Sequence, residues 1–175
     1  MRKFSIKMKI AVYIFAAGLI VIDRISKDII LDYLYIGEKI PVIKNFFYIT
    51  YCRNTGGAWS IFPNSTLLLG ILSAVSSLII IGVILLCKKP LLGFSLGMVL
   101  GGALGNMIDR FWHGYVVDFL DFLIFGYNFP VFNFADICIV IGGVGLIFVI
   151  LFSKQESLIE RPRFLKKKKE DVSHG

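Results

Sequence analysis

Four uncharged, apolar runs alternate with segments of a different texture. Leu67 to Cys87 and Pro90 to Ile108 contain no charged residue, and each is long enough to cross about 30 Å of hydrocarbon as a helix. Ile137 to Ser153 is slightly shorter and also uncharged, and Ile10 to Ile22 is the shortest. A run of that last length also suits the core of a secretory leader, because the basic start "MRKFSIKMK" precedes it. Against that, Ala16, Ala17 and Gly18 lie inside the run, and Leu19 to Ile22 extend it past them. Beyond Asp23, "DRISKDIILDYL" keeps apolar residues at helical spacing. The pattern predicts an uncleaved first helix with a polar outer end, and four membrane helices in all.

The connecting segments, roughly residues 23–66 and 109–135, carry the other textures. "IPVIKNFFYITYCRNTGGAWSIF" is rich in β-branched and aromatic residues and holds a Gly-Gly pair, which reads as short strands closed by a turn. "RFWHGYVVDFLDFLIFGYNFPVF" is aromatic with few charges, and Trp112, Tyr115 and Tyr127 suit a membrane interface. Both segments read as structure on the membrane face. No linker and no low-complexity tract appears besides the basic tail. One membrane domain over 1–153 and a basic cytoplasmic tail over 154–175 is the expected organisation.

Composition agrees with the pattern. Of the 175 residues, 57% are hydrophobic and 18% charged, with a mean hydropathy of +0.78; soluble domains carry about 25% charged residues. Four helices place both termini on one side, and Lys and Arg choose the side. Arg2, Lys3, Lys7, Lys9, Lys88, Lys89, Lys154, Arg161, Arg163 and Lys166 to Lys169 lie there, thirteen of the nineteen basic residues. That side is assigned to the cytoplasm. The net charge of +7 is then a topology signal with some attraction to anionic lipid, and nucleic-acid binding is not implied. Cys52, Cys87 and Cys138 have unrelated spacings, and His113 and His174 are scattered, so neither a disulfide framework nor a metal site is indicated. No cofactor is expected.

The acids have the opposite distribution. Asp23, Asp28, Asp32, Glu38, Asp109, Asp118, Asp121 and Asp136, eight of the twelve acidic residues, fall on the far side. Asp109 and Asp23 sit near helix C-termini, where the helix dipole disfavours an anion; Arg110 and Lys27 are placed to relieve them, Lys27 as the i+4 neighbour of Asp23. Gly93, Gly97, Gly101 and Gly105 form a small-xxx-small row, which permits close helix approach. The row drifts around its helix, so adjacent steps share a face but the whole row does not. Its packing would carry Asn106, Asp109 and Arg110 into the outer end of a bundle.

Asp136 follows Asn133 by three residues at the head of the last apolar run, the spacing of a capping box. Asp118 lies in "GYVVDFLDF" among apolar neighbours, a setting that raises a carboxyl pKa. If the two meet, they share a proton. One activates a water as general base and the other donates to a carbonyl, which is peptide hydrolysis without metal, thiol or serine. Spacing alone does not bring them together, and Asp121 rivals Asp118. Membrane acids also suit a small ion- or proton-coupled transporter. Such proteins place their sites near the midplane, often between repeats; here no repeat is visible and the acids lie at helix ends. A non-catalytic scaffold is a third reading.

"DRISK" (Asp23 to Lys27), "NTGGAW" (Asn54 to Trp59), "GGALGNMIDR" (Gly101 to Arg110), "VVDF" (Val116 to Phe119) and "FNFAD" (Phe132 to Asp136) resemble, in order, five motifs of the lipoprotein signal peptidase family, also called signal peptidase II. The likeness covers about residues 10 to 153. It implies an all-α membrane protein, a four-helix bundle with a small outer β-cradle and an outer helix over the site. It implies an aspartyl endopeptidase of the bacterial cell membrane that cuts prolipoproteins before the lipid-modified cysteine and is inhibited by globomycin. It makes Asp118 and Asp136 the catalytic pair and passes over Asp121. Asn54, Gly56, Asn106 and Arg110 would hold substrate, and Asp23, Lys27, Asp109, Asn133 and Ala135 would support the site. Ala58 also stands where the second motif expects it.

Overall fold

The structure is a computed structural model that describes residues 4–57, 62–153 and 158–159. Ala58 and Trp59 of the second motif, Arg2 and Lys3, and most of the basic tail lie outside the described residues.

Four long helices form the body. Helix α1 (Ile6–Tyr33) starts at Ser5, whose side chain accepts from Met8 N at 3.4 Å, which satisfies one of the unpaired amides of the first turn. Its 28 residues span about 42 Å. The outer segment expected to begin at residue 23 therefore begins as helix, and its first eleven residues are the last three turns of α1. Helix α2 (Thr66–Leu86) is apolar on every face and mostly exposed on the molecule. Helix α3 (Pro90–His113) opens on Pro90 and stops at Gly114, which takes φ 78° while its N–H reaches Arg110 O at 3.2 Å. Helix α4 is Phe134–Phe152. By length and composition α2, α3 and α4 can each cross a membrane; α1 carries too many charges to qualify on composition alone.

Helix α3 is the axis against which the others pack. A methyl at Gly93 would collide with Phe4, one at Gly97 with Val12, and one at Gly101 with Leu19 and the Ala16 carbonyl. A methyl at Gly105 would lie 2.5 Å from Asp23 Oδ2. Gly97, Gly101 and Gly105 therefore face α1, and Gly93 faces Phe4 just ahead of it; although the row drifts around α3, α1 follows that drift, running parallel to α3. Gly102 and Gly142 do the same for α4, which runs antiparallel: Gly102 meets the Ala135 carbonyl, and Gly142 the Ser95 carbonyl.

The outer segments build a four-stranded antiparallel sheet in the order β1-β2-β3-β4, with β1 Lys39–Ile43, β2 Phe47–Asn54, β3 Val116–Ile124 and β4 Tyr127–Asn128. The aromatic second segment is thus strand. Phe125 and Gly126, at φ 49° and 82°, form the two-residue turn between β3 and β4. Tyr51, Val117 and Phe119 pack the sheet onto Ile30 and Leu34 at the far end of α1. No outer helix separate from α1 occurs among the described residues.

Candidate active site

The β3–β4 hairpin brings the two carboxylates together. After β4 the chain runs back along β3, and Phe132 bridges Leu120, with Phe132 N donating to Leu120 O at 3.1 Å. The next residue, Asn133, is the N-cap of α4. Antiparallel pairing thereby sets Asn133 beside Asp118, and Asn133 Nδ2 donates to Asp118 Oδ1 at 2.7 Å. The capping box forms as the spacing predicts: Asp136 N donates to Asn133 Oδ1 at 3.0 Å, and Asn133 N donates to Asp136 Oδ2 at 3.1 Å. One oxygen of Asp136 caps the helix, and the other, Oδ1, receives Asn106 Nδ2 at 2.8 Å.

On the opposite side, β2 shifts register against β3 between Ile49 and Cys52. Such a bulge re-aims the residues beyond it. Asn54 Nδ2 then donates to Asp118 Oδ2 at 2.9 Å, while Asn54 Oδ1 accepts from Gly56 N at 2.9 Å. Asp121 is three residues from Asp118 on the same strand, so it points to the other face, where Lys39 Nζ approaches its Oδ2 at 2.5 Å.

A buried charge cluster sets the asparagines. Lys27 is fully buried; its Nζ lies 2.7 Å from Asp23 Oδ2, 2.9 Å from Asp109 Oδ2 and 3.0 Å from Asn106 Oδ1. Lysine only donates, so the group facing it must be the Asn106 oxygen, and the Asn106 amide nitrogen is left for Asp136. Asn133 Nδ2 also donates to Asn106 Oδ1 at 3.0 Å. The two acids reach further: Asp23 Oδ1 accepts from Ala135 N at 3.0 Å, and Asp109 Oδ2 from Val117 N at 3.2 Å. One lysine thus joins α1, α3, β3 and α4. Arg24, 3.6 Å from Asp109 Oδ1, supplies the second positive charge that balances two acids. Arg110, the expected partner of Asp109, turns away to the Asn106 and Gly56 carbonyls, both at 3.3 Å. Its Nε is buried without a hydrogen-bond partner among the described residues. Ala135 packs against the glycines of α3, which leaves no room for a longer side chain.

Asp118 and Asp136 line one cavity of about 880 Å³, together with Asn54, Asn106 and Arg110. Its other wall is apolar and runs along α4 through Ile137, Val140 and Ile141, of which Val140 and Ile141 are exposed on the molecule. Burial, and next the charge of Asp136, push the Asp118 carboxyl up to about 7, although Asn54, Asn133 and Lys27 favour its ionised form. A carboxyl that keeps its proton near neutrality beside a second carboxylate can move a proton in either direction.

Sequence reasoning passed over Arg24, although its i+4 spacing to Asp28, 2.6 Å in the structure, is visible in the sequence. It also gave no role to Cys52, which stands cross-strand from Asp118 on the cavity wall. Burial, then the charges of Asp118 and Asp121, push that thiol up. Arg53 was likewise unassigned, and no pattern marks it.

Comparison with known proteins gives a consistent result. The family model described as Signal peptidase (SPase) II matches residues 15–152. A lipoprotein signal peptidase of Anoxybacillus flavithermus is 37% identical over 149 residues, 82% of this chain and 86% of that one. A bacterial membrane enzyme solved by the in meso method at 2.3 Å superposes with a TM-score of 0.78 at 30% identity, over 93% of this chain and 98% of that one. A second, at 1.9 Å, gives 0.75 at 32% identity, over 87% and 98%.

Proposed function

The chain belongs to the signal peptidase II family, and from that premise we propose that it is an aspartyl endopeptidase whose acid–base pair is Asp118 and Asp136. The family assigns it to the bacterial membrane and to removal of signal peptides from prolipoproteins. The transporter and scaffold readings fall away with that assignment. The observation that carries the mechanism is that both carboxylates sit on one cavity wall, their oxygens ordered by three asparagine side chains and one backbone amide.

The pair shares one proton and titrates as a unit, so neither residue owns a role. The ionised member takes a proton from a water, which attacks the scissile carbonyl. The protonated member donates to the carbonyl oxygen, giving a gem-diol. As this collapses the C–N bond breaks, the proton taken from water passes to the departing amine, and the diol returns a proton to the other carboxylate. Asn54 and Asn106 each keep a second amide N–H beyond the one given to a carboxylate, and the Arg110 guanidinium retains an unsatisfied donor; these groups hold the substrate backbone beside Gly56. Lys27, Asp23, Asp109, Asn133 and Ala135 keep the acids in place.

The substrate is a diacylglyceryl-modified prolipoprotein, cut before the lipidated cysteine. Its acyl chains and signal segment lie against the apolar α4 wall, in contact with lipid. Helix α1 is the fourth span, since it shares the depth of α3 from Phe4 to Asp23. Both termini are cytoplasmic, and the site lies near the outer face of the inner membrane. Residues 1–153 form one domain.

A cleavage assay with modified prolipoprotein in detergent tests this reading. The wild type should cleave, and globomycin should block it. Asp118→Asn and Asp136→Asn should be folded and inactive, with losses of 10³-fold or more, about the scale of removing a unit of the catalytic machinery. Asp121→Asn should stay within a few-fold of wild type. Persistent cleavage by either dyad variant, or an Asp121→Asn enzyme as dead as they are, would move the active site elsewhere.

A further inference from the structure

The space around the aspartates continues past them. Beyond Cys52 a smaller groove of about 340 Å³ is lined by Ile36, Lys39 and Tyr51, and it shares Cys52, Arg53 and Val131 with the main cavity. The two spaces lie at different depths. The main cavity is walled by α4, whereas the groove takes Ile36 and Gly37 from the chain beyond the end of α1.

Arg53 stands where the two meet. It is exposed, yet its side chain is fixed: Nε donates to Tyr51 Oη at 2.8 Å, and the guanidinium lies 4.5 Å from the Tyr115 ring centre. The two tyrosine hydroxyls are 3.1 Å apart, which braces both rings. The other cation of the groove, Lys39, is paired with Asp121 at 2.5 Å. Among the described residues Arg53 forms no ion pair; its hydrogen-bond partners are the hydroxyls of Tyr51 and Tyr115. A planar fork held in position and lacking a carboxylate suits an incoming carboxylate.

The direction of the substrate follows from solvation. The signal segment ahead of the scissile bond is apolar and stays on the lipid-facing α4 wall. The chain after the bond is polar and must leave towards water. The groove adjoins the dyad's cavity on the sheet side, through Cys52, Arg53 and Val131. We propose that Arg53 is a specificity-determining residue that selects an acidic side chain in the polypeptide just after the lipidated cysteine. This rests on the peptidase reading above.

The test uses three modified prolipoprotein substrates that differ only at the second residue after the lipidated cysteine: Asp, Asn or Lys. With wild type, kcat/KM should favour Asp over Lys by about two- to fivefold, the range of an exposed, pre-oriented ion pair, and the ratio should shrink as salt is raised. Arg53→Gln should bring the ratio near one, and Arg53→Glu should invert it. Equal ratios in all three enzymes would overturn the assignment while leaving the peptidase intact, because the Asn substrate would still be cut. Failure of wild type to cut any of the three would overturn both.

Discussion

Asp118 carries a conflict that sets a pH dependence. Its carboxyl is raised from 3.8 to about 7 by burial and by Asp136, so at this group the folded protein holds a proton that the unfolded chain releases across that window. The Asp118 contribution to stability therefore falls as pH rises from about 4 to about 7 and levels off above it. Asp118→Asn has no such group, so its thermal midpoint should decline less than that of wild type between pH 5 and pH 8. A parallel decline would mean that Asp118 is already ionised at pH 5. On the proposed mechanism activity has a matching limb: kcat/KM should drop about tenfold per pH unit above about 7, as Asp118 loses its proton. Lys27 poses the opposite problem, a fully buried cation paired with both Asp23 and Asp109. Lys27→Met should cost about 3–5 kcal/mol in denaturant or thermal unfolding, because it strands buried acids. Adding Asp23→Asn or Asp109→Asn should restore part of the loss; no restoration would mean that the lysine stem matters and its charge does not. How far such residues are legible in a sequence varies. The Asn133–Asp136 capping spacing needs no tertiary knowledge and is present as written. The choice between Asp118 and Asp121 is different, since both lie in one apolar run and only the pairing of Phe132 with Leu120 tells which one meets the other acid.

Elements were readable where one rule decided them. Uncharged runs gave the cores of α2, α3 and α4, and the Pro90 and Gly114 boundaries of α3 follow local stop signals. Helical spacing beyond Asp23 was visible, but how far α1 runs was not: the segment expected to leave the helix at residue 23 stays in it to Tyr33. The bulge in β2 and its consequence for Asn54 were not readable, because register depends on a partner strand more than sixty residues away. The glycine row lies between these cases: its purpose was visible, but its single neighbour depended on the path of α1. That neighbour supports a sharp contrast. An alanine at Gly105 would place its methyl 2.5 Å from Asp23 Oδ2 and 3.4 Å from Ala135 Cβ. Gly105→Ala should therefore lose about 1–3 kcal/mol of stability and most activity, as Asp23 is pushed off the Ala135 amide. Gly143 has nothing within 4 Å of an added methyl. Gly143→Ala should be neutral or slightly stabilising, by up to about 1 kcal/mol from helix propensity. Equal effects at the two positions in thermal unfolding would show that close packing of α1 on α3 does not set the site.

The whole molecule separates charge from chemistry along one axis. Parallel α1 and α3 place Ser5, Lys89 and the end of α4 at one extremity, and Asp23, Asp109, Asp136 and the sheet at the other. Leu158 closes the first extremity by accepting Lys88 N at 2.8 Å. Among the described residues Lys7, Lys9, Lys88 and Lys89 belong to that end and Asp23, Asp109, Asp118 and Asp136 to the site end, so the proposed orientation would satisfy both the positive-inside rule and a reaction that draws water from outside. Because α1 lies parallel to α3 over the same depth, the proposed arrangement has it cross wherever α3 crosses. The consequence is measurable in intact cells with a membrane-impermeant thiol reagent. In a background with Cys52, Cys87 and Cys138 replaced, a cysteine in place of Tyr127, exposed beside the β3–β4 turn, should label from outside. A cysteine in place of Lys88 should label only after the membrane is opened. Labelling of both positions from outside would break the four-span arrangement, and with it the argument that the dyad faces the outer water. Reversed labelling would keep four spans but put the acid–base pair on the cytoplasmic face, where a substrate whose mature chain has already crossed the membrane could not present its scissile bond.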